Sequence, residues 1–150
     1  MRQGALALPP AAAPVAAPLA RLPGWPLALE CAIERARHRA FDWTTHNCAT
    51  FAADCLAAIT GVRVHGRFAA LMASERRARA FGPALAHRVD VVLGADRRIA
   101  PALAQRGDVL LLAISGYSAL GICAGRSAVA VGPDGLTFVP MEAAQCAWHI

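Results

Sequence analysis

Chemistry in this chain would begin with Cys48 and His46, two positions apart in the run TTHNC. A thiol beside an imidazole is the smallest equipment for nucleophilic catalysis: the thiolate attacks, and the imidazole takes a proton and later returns it. Cys48 is expected at the first turn of a helix, where the backbone dipole favours an anion and so makes a thiolate accessible near neutral pH. Thr45, His46 and Asn47 supply short polar side chains for the unpaired amides of that turn. His46 then has two readings, a base for Cys48 or a capping or solvated loop residue. His149, near the end of the chain, is a further candidate base. His38, His65 and His87 have basic neighbours and no acidic or thiol partner nearby in sequence, so they are expected at the surface. Trp43 and Trp148 would line a groove or fill the core, and core is favoured. Asp108, after Gly107, is expected to make a turn or cap hydrogen bond.

The cysteine pattern restricts the other options. Cys31, Cys48, Cys55, Cys123 and Cys146 are an odd count without paired spacing, so they read as reduced thiols. All but Cys48 sit inside apolar patterns and are expected to be packed, which leaves Cys48 as the reactive one. The nearest ligand pair, His46 with Cys48, is too little for a tetrahedral site, and neither a metal nor a cofactor is expected.

The elements that must hold these residues follow from periodicity. From Phe41 to Gly61, apolar residues fall at Cys48, Phe51, Ala52, Cys55, Leu56 and Ile59, at helical steps of three and four. Thr50 and Asp54 take the opposite face, and Gly61 ends the helix. An earlier helix from Trp25 carries Leu29, Ile33, Ala36 and Ala40 on one face, with acidic residues early and arginines late. Val62 to Gly66 reads as a connector. A third helix is predicted near Arg67 to Phe81, with Phe68, Leu71 and Met72 inward and Arg76, Arg77 and Arg79 outward. After Gly82 and Pro83, short β-rich runs are predicted at Asp108–Ile114, Ala119–Ala124, Ser127–Val131, Leu136–Met141 and Gln145–Ile150. Helices first and an antiparallel meander second make an α+β fold, with the Cys48 helix packed on the sheet.

Composition bounds the remaining classes. A chain of 150 residues with 57% hydrophobic content can fill one core. The uncharged run from Val109 to Gly125 is broken by Ser115, Gly116, Tyr117 and Ser118, so no membrane span is expected. The net charge of +5 comes from arginine with no lysine, in a chain rich in Ala, Gly and Pro, a bias that suggests GC-rich coding rather than phosphate binding. No nucleic-acid partner is expected. Residues 1–20, with prolines at 9, 10, 14 and 18, read as an extended arm, either a dispensable tail or a strap that orders on a partner. Because Pro9 interrupts its apolar stretch, the arm lacks the uninterrupted apolar core of a secretory signal. Residues 21–150 form the domain.

The motifs in order carry a family resemblance. The run RLPGWPLALECAIERARHRAFDWTTHNCATFAADCLAAITG resembles the start of a small domain family of phages and prophages of Proteobacteria, whose members tend to read F-x-W-G-x-x-D-C-x-x-F and a helix ending in T-G. HGRFAALMASERRARAFG, QRGDVLLL, ALGICAGRSAVAVGPDGLTFVPM and CAWHI are similar to its later segments. That family is in turn similar to the NlpC-type peptidoglycan peptidases, so the resemblance implies a papain-like fold of N-terminal helices on a small antiparallel sheet. It also implies a catalytic cysteine at Cys48. The chain departs from these patterns: Ala119 stands where the catalytic histidine belongs, the third position falls among Ala128, Val129, Ala130 and Val131, which cannot orient an imidazole, Asn47 stands where an aspartate precedes the cysteine, and Thr44 stands where a glycine follows the tryptophan. The implied function is a virion tail-tip component with a peptidase-like fold that lacks its base, partnered by tail-tip proteins. It would reside in the virion tail, or in the host cytoplasm during assembly. The alternative is an active cell-wall cysteine peptidase or amidase acting on peptidoglycan peptides through Cys48 and a relocated histidine such as His46.

Overall fold

The computed structural model describes residues 18–71 and 84–150. Gly24 and Pro26 open helix α1 (Trp25–Ala36), proline being compatible with a first turn whose amides need no intrahelical partner. Its inner face is Leu29, Ala32, Ile33 and Ala36. Ala40, expected on that face, lies beyond the helix end and is exposed. Helix α2 (Cys48–Thr60) ends at Gly61, whose φ of 73° is the left-handed cap conformation that glycine adopts at least cost. A short helix α3 (His65–Ala69) follows, so the connector is shorter than expected and includes only Val62 to Val64. The remainder of the predicted third helix, from Met72 onward, lies outside the described residues, as does most of the predicted arm. Leu19 is already part of the core.

Helix α4 (Leu85–Leu93) is an element that the sequence pattern did not suggest. It buries Leu85, Val89, Val92 and Leu93, at helical spacing, but its β-branched residues masked that signal. The sheet comprises β1 (Arg98–Ile99), β2 (Val109–Ile114), β3 (Tyr117–Cys123), β4 (Ser127–Gly132), β5 (Gly135–Pro140) and β6 (Ala144–Trp148). Its order is β1-β6-β2-β3-β4-β5, with every pair antiparallel. The meander therefore holds from β2 to β5, whereas β6 crosses back to pair with β2. Ser115 and Gly116 connect β2 to β3, both with positive φ, the tight turn that matches strand twist.

Helix α2 packs across β3 and β4, with α1 and α3 beside it. Between helices and sheet lie Phe51, Leu56, Ile59, Val109, Leu111, Leu120, Ile122, Val129 and Trp148. The other sheet face is also buried, through Leu110, Leu112, Cys123, Ala128, Ala130 and Ala147. The unbroken apolar run VLLL of β2 follows from this two-sided burial.

One buried carboxylate ties the chain ends together. Asp108 is fully buried and accepts hydrogen bonds from the Arg21 guanidinium (2.9 Å), the Gln105 amide (2.8 Å) and the Ile150 amide (3.0 Å). Arg21 also donates to the carbonyls of Ile150 and Arg106 and stacks over Trp25 at 4.2 Å. The expected turn bond of Asp108 is present, and the longer-range latch is added to it. Among the described residues no helix is long and apolar enough to cross a membrane.

Candidate functional site

The segment before α2 is a closed turn. Asp42 and His46 exchange backbone hydrogen bonds of 2.8 and 2.9 Å. The Asp42 carboxylate accepts from the Thr44 amide and hydroxyl and from the Thr45 amide, and these bonds hold its pKa well below the usual carboxylate value. Asn47 then caps α2. Its side-chain oxygen accepts from the amides of Ala49 and Thr50, both at 3.0 Å, and its amide group donates to the Trp43 carbonyl at 2.8 Å. The Thr50 hydroxyl completes a capping box by accepting from the Asn47 amide. Of the three polar residues expected to cap the helix, Asn47 does so, whereas neither the Thr45 nor the His46 side chain bonds to an α2 amide. Trp43 is half-buried, edge-on to Phe41, while Trp148 is fully buried in the core.

Cys48 begins the helix, yet the helix dipole does not decide its chemistry. The residue is 4% exposed, and burial pushes its thiol up to about 11, against partial opposition from backbone hydrogen bonds of Leu120, Ala49 and its own amide. Desolvation of a thiolate outweighs the favourable helix end. Cys55 and Cys123 are buried as expected, but Cys48 is buried too and Cys31, expected to be packed, is exposed on α1, while Cys146 is half-buried. The reason is geometric, since α2 lies with its first turn against β3. Ala119, half-buried in β3, adjoins the Leu120 backbone that contacts the sulfur.

His46 is not joined to Cys48. Its ring is buried, at 1% exposure, and neither ring nitrogen has a hydrogen-bond partner among the described residues. Its pKa is lowered, first by burial and then by the Arg39 guanidinium, with Asp54 opposing. His149 lies beside Asp108, its Nδ1 3.2 Å from Oδ1, and is mostly exposed. His65, expected to lack an acidic partner, lies 2.6 Å through Nε2 from the Asp54 carboxylate, eleven residues earlier.

His46 instead lines a cleft of about 630 Å³ that also presents Arg35, Arg39, Asp54, Arg63 and His65. Sequence reasoning missed this grouping. Arg35 and Arg39 are spaced four apart and share one side of α1 and its extension, but nothing local links them to Arg63 or to the Asp54–His65 pair. Among the described residues no set of three or more His, Cys, Asp or Glu side chains is arranged to hold a metal ion.

A family model described as a domain of unknown function (DUF6950) matches residues 20–150. No curated protein matches the chain.

Proposed function

The chain belongs to the DUF6950 family, and on that premise we propose that it is a phage or prophage tail-tip component that keeps a papain-like, NlpC-type scaffold without hydrolytic chemistry. The observation that carries the loss of chemistry is the state of Cys48: a buried thiol pushed up to about 11, with no imidazole hydrogen-bonded to it among the described residues. Acyl transfer by a cysteine needs a base to remove the thiol proton and an acid to protonate the leaving amine, and in related enzymes one imidazole does both. Ala119 supplies neither. Losing one member of such a unit costs orders of magnitude in rate. Support for the scaffold is the order of elements, with a cysteine-headed helix packed on β3 and β4 of an antiparallel sheet. The tail-tip assignment rests on the resemblance of the motif series across residues 21–150.

Two measurements test the reading. Incubated with muropeptides, the wild-type chain is expected to release no more product than Cys48→Ala. Turnover by the wild type that vanishes in that variant would overturn it in favour of a cell-wall peptidase. Peptide mass spectrometry of purified particles is expected to detect the chain, and its absence from intact tails would overturn the assembly role.

A further inference from the structure

The cleft on the helical half of the molecule carries a second, independent reading. Three guanidiniums, Arg35, Arg39 and Arg63, face it together with one carboxylate, Asp54, which is already held by His65. Three guanidiniums against one carboxylate leave the lining with a net formal charge of +2. Among the described residues Arg35 and Arg63 make no ion pair with a carboxylate, and Arg39 donates to the Thr45 carbonyl at 3.2 Å. Three buried imidazole nitrogens, Nδ1 and Nε2 of His46 and Nδ1 of His65, have no hydrogen-bond partner among the described residues. A buried polar group without a partner is costly, so these rings mark the cleft wall as a place where protein bonding is incomplete.

The rest of the lining explains the space. Ala32 and Ala36 on α1 and Ala57 and Ala58 on α2 form an apolar floor, and their short side chains leave room between the two helices. The His46 ring is held at the wall by the Asp42–His46 turn and by the Asn47 cap that follows. Guanidinium forks match oxyanions through paired N–H donors, and a group with two negative charges would balance the net +2 of the lining where a single carboxylate would balance half of it. The volume lies within the range of small-molecule sites, larger than a phosphate alone requires.

We infer that this cleft binds a small phosphate monoester, its phosphate held by Arg35, Arg39 and Arg63 beside the buried His46 ring, its organic part lying along the alanine floor. The site is distinct from the Cys48 thiol, whose contacts are with Leu120 and Ala49, so the Cys48→Ala variant keeps phosphate binding whether or not the tail-tip reading holds.

The test is imidazole NMR on the full-length ¹⁵N-labelled chain, titrated in turn with inorganic phosphate, phenyl phosphate, acetate and a single-stranded oligonucleotide. Saturable shifts of the His46 and His65 signals are expected with both phosphates, tighter for phenyl phosphate, while His38, His87 and His149 stay unmoved. Arg63 is exposed, so Arg63→Ala leaves the fold intact and is expected to weaken phosphate binding roughly tenfold or more. The inference is overturned by the absence of saturable shifts up to about 20 mM phosphate, well above the millimolar range of weak sites. It is also overturned by an equal response to acetate, or by unchanged affinity in Arg63→Ala. Oligonucleotide binding that strengthens with length at the same two signals would replace it with a nucleic-acid groove.

Discussion

Alkylation of the folded chain tests the burial argument for Cys48 most directly. At pH 7 a thiol with a pKa of about 11 is ionised in about one molecule in 10⁴, against about one in 10² for a thiol at 9.0, and only the thiolate reacts. Ionisation alone therefore slows Cys48 about a hundredfold relative to an ordinary thiol. Its 4% exposure adds to this, because the reagent must also wait for α2 to lift from β3. Cys31 is exposed, so the reagent reaches it without any opening of the fold. Treated with iodoacetamide at pH 7 and digested at intervals, the native chain is expected to label at Cys31 at least about a hundredfold faster than at Cys48. In denaturant all five cysteines should label alike. Labelling of Cys48 within tenfold of Cys31, or ahead of it, would refute the reasoning: the thiol would then be open and of low pKa, and the peptidase reading would return.

Further predictions concern stability. The folded-state pKa values of Cys48 and Cys55 are raised by burial, so the folded state holds those protons more tightly. Their contribution is complete below the ordinary thiol pKa and is lost as pH rises through the folded values, so urea unfolding should show stability falling from about pH 9 to 11, by about 2–3 kcal/mol for Cys48 alone; a flat profile there would contradict the burial. Asp108→Ala strands the Arg21 guanidinium and the Gln105 and Ile150 amides, with an expected loss of about 4–5 kcal/mol at pH 7. Asp108→Asn, which keeps an acceptor, should lose less, and a loss below about 1 kcal/mol for the alanine variant would show that the latch is not stabilising. Asn47→Ala removes the one cap oxygen that accepts from two amides, and the donor to Trp43, and is expected to cost about 1–2 kcal/mol in chemical denaturation, while Asn47→Asp, which keeps a cap acceptor, should cost less.

Local chemistry by itself determined much of this protein. The span of α2 was legible from the three-and-four spacing of Cys48 to Ile59, its start from Asn47 and its stop from Gly61, because caps and periodicity are short-range properties. The strands β2 to β6 were legible to within a few residues from β-rich runs and turn residues such as Ser115 and Gly116. Helix α4 was not, since a short helix with Val89, Val91 and Val92 has propensities that point both ways. Nor was the return of β6 to the side of β2, since pairing partners far apart in sequence leave no local mark. The state of Cys48 was decided only by tertiary packing: a helix start promises a low thiol pKa, and the strand laid over it removes the water that would have solvated the thiolate. The cleft was decided in the same way, by bringing Arg35, Arg39, His46, Asp54, Arg63 and His65 together from separate segments. Sequence spacing specifies which side chains a single helix or strand presents together, whereas burial and the meeting of charges from different elements exist only once those elements are packed.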